Sequence, residues 1–121
     1  MSRATQLDVD EVRRLDHFAT SLDIALPANV GIIHVGSSLE RPDYRDVDVR
    51  IVLRDGDYRA LAKRVNILDL NMLLSGWGRQ MTGMRIDAQV QSLTESSATE
   101  GKRNGIKRAG RNRPPLDKAN R

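Results

Sequence analysis

The chain has 121 residues, of which 39% are hydrophobic, and this length suits one compact domain rather than two with separate cores. It contains no cysteine and only two histidines, which excludes disulfide frameworks, zinc ribbons and thiol nucleophiles. Any metal ion would be held by carboxylate oxygens, which favours magnesium or manganese. The sequence has no long apolar run and no signal-peptide start, so it predicts a soluble cytoplasmic protein that does not enter a membrane.

Charge is divided unevenly along the chain. Residues 1–100 carry a net charge of −3, whereas residues 101–121 carry +7. We therefore expect a folded domain over residues 1–92 and a disordered basic tail over residues 93–121. Such a tail serves either as a solubilising segment or as an arm for nucleic-acid phosphates, and composition alone does not separate the two.

The first half of the chain predicts a helix followed by two strands. Apolar residues recur every three or four positions over residues 7–26, as in a helix with one buried face, and Pro27 ends it. A short β-branched run over residues 30–35 predicts a buried strand that stops at a glycine-serine turn. Residues 46–53 alternate between polar and apolar and predict a second strand.

The second half predicts one helix and a third strand. The helix is capped by Asp55 or Asp57, and glycines on both sides of Trp77 leave its end open. Its apolar positions are Tyr58, Leu61, Ala62, Val65, Leu68, Met72 and Leu73. Residues 84–91 alternate again, with Asp87 on the polar face. This order predicts an α/β (α+β) fold in which a small mixed sheet has its helices packed on one face.

Acidic residues of the second and third strands are the strongest candidates for chemistry. Alternate residues of a strand project to the same side, so Asp46 and Asp48 are expected to lie together. Adjacent carboxylates repel unless cations neutralise them, and pairs of divalent ions held this way promote phosphoryl and nucleotidyl transfer. Asp87 joins them if the second and third strands are neighbours. The alternative is that these acids simply face solvent at a strand edge.

The turn after the first strand is a candidate phosphate site. Glycine lets a ligand approach the backbone, and turn N–H groups together with a serine hydroxyl bind anions. Gly36, Ser37 and Ser38 are therefore candidates to bind a nucleotide. Arg41 and Arg45, in the next loop, are candidates to offset phosphate charge.

Two other conspicuous residues are expected to be structural. His34 lies inside the apolar first strand and is predicted to be a packed, hydrogen-bonded core histidine. Trp77 is predicted to pack in the core or to cover a helix end rather than to stack on a base.

Three short motifs follow one another along the chain: Val35-Gly36-Ser37, then Asp46-Val47-Asp48-Val49 after an eight-residue spacer, and later Ile86-Asp87-Ala88. This pattern resembles the nucleotidyltransferase superfamily of DNA polymerase beta, including its minimal bacterial members, and covers about residues 30–91. The resemblance implies two Mg²⁺ ions, replaceable by Mn²⁺, on the paired acids. It further implies that the third acid helps to hold one ion and orients or activates the acceptor hydroxyl, while the glycine-serine turn binds nucleotide phosphates.

The resemblance predicts a nucleotidyltransferase that moves a nucleoside monophosphate from a nucleoside triphosphate to a hydroxyl acceptor. The acceptor is a protein, a nucleic acid or a small molecule, and residues 101–121 are the expected contact for the first two. Family members often carry an extra helical domain for which this chain has no room, so a second copy or a partner subunit is expected to complete the site. The alternative function is a catalytically inactive module of the same fold that binds nucleic acid or a partner protein through the basic tail.

Overall fold

The structure is a computed structural model that describes residues 5–98 and the backbone of residues 103–107. The elements of this part of the chain follow in the order α1 (Val9–Ala25), β1 (Asn29–Val35), a 3₁₀ turn (Ser37–Leu39), β2 (Val47–Leu53), α2 (Asp55–Arg64), α3 (Ile67–Thr82), β3 (Ile86–Ser92), α4 (Leu93–Ala98) and β4 (Arg103–Lys107). Within the same residues, no helix is both long and apolar enough to cross a bilayer.

The strands form one mixed sheet in the order β3-β2-β1-β4. β2 and β3 are parallel, and the other two pairs are antiparallel. The predicted α+β class with a small mixed sheet is therefore confirmed.

Polar and apolar alternation decides which face of the sheet is covered. The buried strand residues pack with α1 and α3 in a single core, whose members include Leu15, Phe18, Leu22, Ile32, Val47, Val49, Ile51, Leu53, Leu74, Ile86, Ala88 and Val90. Phe18 and Trp77 meet edge to face with ring centroids 5.7 Å apart, which confirms the structural role predicted for Trp77. The polar residues that alternate with these buried residues in β2 and β3 lie on the other face of the sheet.

Two helices begin with reciprocal caps that are readable in the sequence. At α1 the Asp8 carboxylate accepts from Glu11 N, and Glu11 accepts from Asp8 N. At α4, Ser92 Oγ accepts from Glu95 N at 3.1 Å, and Glu95 Oε1 accepts from Ser92 N at 3.4 Å. Each pair satisfies backbone donors that the first helical turn leaves without partners.

The long helix predicted after β2 is instead two helices. Val65 is extended, with φ −134° and ψ 155°, and ends α2. Asn66 then begins α3, because its side chain accepts from Asp69 N at 3.0 Å. Asparagine competes with the helical backbone in this way, which favours a new cap over continuation. The glycine pair around Trp77 does not end α3, which runs to Gly83 in the left-handed conformation at φ 72°.

The break changes which side of the helix is buried. Leu68, Met72 and Leu73, which the sequence pattern assigned to the apolar side, are all more than 70% exposed. Leu74 and Gly78 face the core instead. Gly78 is required by packing, since an added Cβ would lie 2.8 Å from side-chain atoms of Phe18 and Ile86.

α3 also covers the outer edge of β3, which is an edge strand of the sheet. Asn71 Oδ1 accepts from Val90 N at 2.8 Å, and Ser75 Oγ accepts from Ala88 N at 2.8 Å and donates to Ala88 O at 3.3 Å. One turn later, Arg79 Nε donates to Ile86 O at 3.3 Å. Four helical residues rise about 6 Å and two strand residues about 6.6 Å, so the two spacings match. This edge of β3 is satisfied by side chains rather than by another strand.

The predicted disordered tail over residues 93–121 is wrong for its first part. α4 and β4 lie inside it, and β4 pairs antiparallel along β1, with Arg103 opposite Val35 and Lys107 opposite Ile32. Strand pairing uses main-chain hydrogen bonds, which a sequence poor in apolar residues still supplies. Residues 99–102 and 108–121 lie outside the described residues.

Removing the side chains that bind the β3 edge should destabilise the fold. Ser75→Ala leaves the Ala88 amide and carbonyl without their side-chain partner, and we expect a loss of about 1–3 kcal/mol in the free energy of unfolding. Urea denaturation measures it. Gln80→Ala, at an exposed position of the same helix, is the matched control and should change stability by less than about 0.5 kcal/mol. Equal effects of the two substitutions would contradict this role of α3.

Candidate active site

The parallel pairing of β2 and β3 places Asp48 directly opposite Asp87. Both side chains therefore project from the polar face of the sheet, on neighbouring strands about 4.8 Å apart. The sequence pattern predicted this meeting on the condition that the two strands are neighbours, and the register fulfils that condition.

The environment of Asp48 disfavours its ionised form. Partial burial raises the pKa of Asp48 from 3.8 to about 6. The Arg50 guanidinium lowers this pKa, whereas a hydrogen bond with Asp87 and the negative charges of Asp87 and Asp46 raise it. Arg50 is thus the cation that acts on Asp48, against the carboxylates of Asp87 and Asp46.

Gly36 forms one wall of the site. Its φ is +85°, a conformation that favours glycine, and an added Cβ would lie 2.1 Å from Asp48 Oδ2. The turn after β1 therefore comes directly against the Asp48 carboxylate, because Val35 and Asp48 are paired in the β1–β2 ladder. Ser37 follows as the first residue of the 3₁₀ turn and is partly exposed. The predicted phosphate turn thus lies against Asp48, one of the predicted acids.

Asp46 is placed differently from its sequence partner. It precedes β2, and its Oδ1 lies 3.5 Å from Arg85 Nε, in an ion pair between a partly exposed aspartate and a largely exposed arginine. Its charge still acts on Asp48, whose pKa it raises. The structure therefore brings Asp48 and Asp87 together and keeps Asp46 at the rim.

The other predicted nucleotide-binding residues have various surroundings. Ser38 is fully buried, and its Oγ lies 2.5 Å from His34 Nε2, so its hydroxyl is engaged within the turn and nucleotide binding by Ser38 stays a prediction. His34 is confirmed as a packed, hydrogen-bonded core histidine. Arg41 binds the Asp43 carboxylate through two hydrogen bonds of 3.0 and 2.9 Å, and Arg45 is exposed in the same loop.

Arg50 and Gln89 belong to the site although the motif did not include them. They are opposite each other in the β2–β3 register, and Arg50 Nη1 donates to Asp87 O at 3.3 Å. Gln89 Nε2 lies 3.5 Å from Asp87 Oδ2. The alternation of side chains along a strand could have predicted both residues, because Arg50 lies two residues after Asp48 and Gln89 two residues after Asp87, on the same face.

The residues present fit a divalent cation in their chemistry. No group of three His, Asp or Glu side chains within metal-binding reach occurs in the part of the chain that the structure describes. Two carboxylates in hydrogen-bonding contact, one of which is hard to ionise, are nevertheless a pair that a cation stabilises. Asp48 and Asp87 are the residues that would hold it, with Asp46 near enough to contribute charge.

In comparisons with known proteins, no family model matches this chain and no curated protein is similar to it in sequence. The resemblance to nucleotidyltransferases therefore depends on the motif residues themselves and stays a prediction.

The raised pKa of Asp48 makes stability depend on pH in a defined direction. The folded protein holds this proton more tightly than the unfolded chain, so stability falls as pH rises from about 4 to about 6. A shift of this size corresponds to about 3 kcal/mol, and solvent screening of a half-buried group reduces the expected effect to about 1–2 kcal/mol. Asp48→Asn should therefore raise the free energy of unfolding by that amount at about pH 8 and change it little at about pH 4.

Urea denaturation at both pH values checks this, with Asp43→Asn as the control. The Arg41 guanidinium lowers the pKa of Asp43, so this substitution should bring no gain at the higher pH. A stabilisation by Asp48→Asn that is equal at the two pH values would contradict the electrostatic explanation.

Gly36→Ala should disrupt the turn against Asp48. The methyl group meets the carboxylate and the positive φ is strained, so we expect a loss of about 1–3 kcal/mol in stability. Gly56→Ala is the matched control, because its added Cβ would meet only a distant Arg59 atom at 3.9 Å. Thermal unfolding compares them. Combining Gly36→Ala with Asp48→Ala should recover part of the loss, and purely additive losses would argue against contact between the two residues.

Proposed function

We propose that this protein is a magnesium-dependent nucleotidyltransferase. The observation that carries the proposal is the β2–β3 register, which sets Asp48 beside Asp87, with the Gly36 turn directly against Asp48. An acid pair that can hold a cation, next to a glycine turn that can bind phosphate, is an arrangement that supports the transfer of a phosphorus group between oxygens.

The strand order sets the positions of the turn and of the two acids relative to one another. The Gly36-Ser37 turn ends β1, Asp48 lies on the central β2, and Asp87 lies on β3, so the three features follow one another across the sheet. In the proposed complex the triphosphate lies on the turn and its α-phosphorus lies near Asp48. The acceptor hydroxyl then approaches from the side of Asp87.

The proposed reaction is an in-line displacement. The acceptor oxygen forms a bond to the α-phosphorus, the bond from this phosphorus to the bridging oxygen breaks, and pyrophosphate leaves with that electron pair. Asp87 orients the hydroxyl and receives its proton. Bound magnesium would supply charge neutralisation for the phosphates, and Asp48 and Asp87 would hold it.

Transfer can be tested directly with the full chain. Incubation with labelled nucleoside triphosphates, Mg²⁺ and cell lysate should label an acceptor, and Asp48→Asn and Asp87→Asn should each reduce labelling by about 100-fold or more. Asp43→Asn, which alters an exposed acid paired with Arg41, should label like the wild type.

A second readout does not need the acceptor. Mg²⁺ with a nucleoside triphosphate should raise the melting temperature of the wild type and of Asp43→Asn, but not that of Asp48→Asn. Labelling and thermal shifts that survive both substitutions in the acid pair would rule out this function.

Two observations favour the alternative of an inactive binding module. Asp46 pairs with Arg85 at the rim, and the described residues hold no three-acid group within metal-binding reach. A module of this kind would bind nucleic acid or a partner protein through its basic C-terminal residues, independently of the acid pair.

The two candidates separate in one comparison. Truncation must follow residue 107, because an earlier cut would remove β4 from the sheet. Loss of nucleic-acid binding in this truncated chain, together with no response of any variant to magnesium and nucleotide, would favour the inactive module. Nucleotide-dependent shifts that persist after truncation would favour the enzyme.

A further inference from the structure

The exposed side of α3 carries apolar and charged residues in an orderly arrangement. Leu68 and Met72 are each 73% exposed. Asp69, Gly76 and Arg79 are also exposed, and the spacing of three and four residues places all five on one side of the helix. We call these five residues the α3 face. An apolar surface of this kind, flanked by charges, is typical of an interaction site.

Gly76 is the residue of this face that the fold itself does not explain. A glycine inside a helix destabilises that helix relative to alanine. Packing requires Gly78, but a Cβ added at Gly76 would meet no atom within 4 Å. A glycine with open space above it permits close approach of another backbone or a large side chain.

A groove of about 550 Å³ lies along this side of α3. Its lining includes Leu68, Met72, Gly76 and Arg79 from the helix, with Asp87 and Gln89 from β3. Whatever occupies the groove therefore also lies at the edge of the acid pair.

We propose that the α3 face binds the α3 face of a second copy of this chain, with the two helices antiparallel about a two-fold axis at the level of residue 74. Met72 and Gly76 are equally distant from this level, so Met72 of each copy fills the open space above Gly76 of the other. Asp69 and Arg79 are also equally distant from it, so each carboxylate meets the opposite guanidinium. The face is thus complementary to itself in shape and in charge.

Each part of this pairing has a physical basis in the monomer. Arg79 is held at its end of the helix because its Nε donates to Ile86 O, so ordering its side chain costs little further entropy. Burial of Leu68 and Met72 supplies the apolar contribution. The antiparallel arrangement also sets the N-terminus of each α3 beside the C-terminus of the other, which favours association.

The area of the interface is limited by the length of α3, a helix of 16 residues that is about 24 Å long. We therefore expect a concentration-dependent dimer rather than an obligate one. This pairing does not depend on the proposed enzymatic function. If both hold, the second copy completes the site at the Asp87 side.

Charge reversal tests the geometry. Asp69→Arg alone sets two arginines against two arginines, and Arg79→Glu alone sets two acids against two acids, so each should weaken dimerisation at least about 10-fold. An equal mixture of the two variants restores both pairs with opposite charges. It should therefore form mixed dimers of wild-type affinity, which analytical ultracentrifugation and native mass spectrometry measure on the full chain.

A steric test is independent of charge. Gly76→Leu should fill the open space, raise the melting temperature of the dilute monomer because leucine favours the helix, and weaken the dimer at least about 10-fold. Circular dichroism verifies that every variant is folded.

Three results would each overturn the proposal. These are a wild-type chain that is monomeric at all concentrations, a dimer that is unaffected by the charge reversals or by Gly76→Leu, and a mixture of the charge variants that does not recover.

Discussion

Two carboxylates, on Asp48 and Asp87, are held side by side because β2 and β3 pair in parallel with these residues opposite each other. The arrangement is unfavourable by itself, and the pKa of Asp48 near 6 reflects burial together with the neighbouring negative charges. The apolar residues that alternate with the acids maintain it. Val47, Val49 and Ile51 are buried with Ile86 and Ala88, so a slip of one residue would turn the acids toward the core.

α3 connects this site to the rest of the molecule. One side of the helix packs against Phe18 of α1 and Ile86 of β3, and polar side chains beside it bind the backbone of β3 at alternate residues. The position of Asp87 is therefore fixed from both edges of its strand, by β2 on one side and by α3 on the other. The remaining side of α3 is exposed and carries apolar residues flanked by charges, and it borders Asp87 of the acid pair through the groove.

β1, β2 and β3 could be predicted from the sequence, as could the buried faces of β2 and β3, because alternation with period two is a local property and the core face of these two strands carries only apolar residues. The meeting of Asp48 with Asp87 could be predicted only conditionally, because strand order is not a local property. The break at Asn66 was missed since apolar residues kept helical spacing across it, and the faces of α3 were therefore assigned wrongly.

β4 could not be predicted from amino-acid composition, because this strand forms by pairing with the free edge of β1. Asp46 shows a similar limit. Its sequence spacing from Asp48 suits a shared site, but Asp46 precedes β2 and has Arg85 as a partner, and no pattern along one strand reveals a partner on another segment.

The proposed function requires that Asp48 and Asp87 act as one cation-binding unit. Carbon-13 NMR titration of the Asp48 carboxyl group, in the wild type and in Asp87→Asn, without and with Mg²⁺, is the most direct measurement. We expect an apparent pKa of about 6 for Asp48 in the wild type without the ion, and a fall in that pKa when Mg²⁺ is added. An Asp48 carboxyl group that titrates near the ordinary aspartate value, unchanged by Mg²⁺ and by Asp87→Asn, would refute this unit.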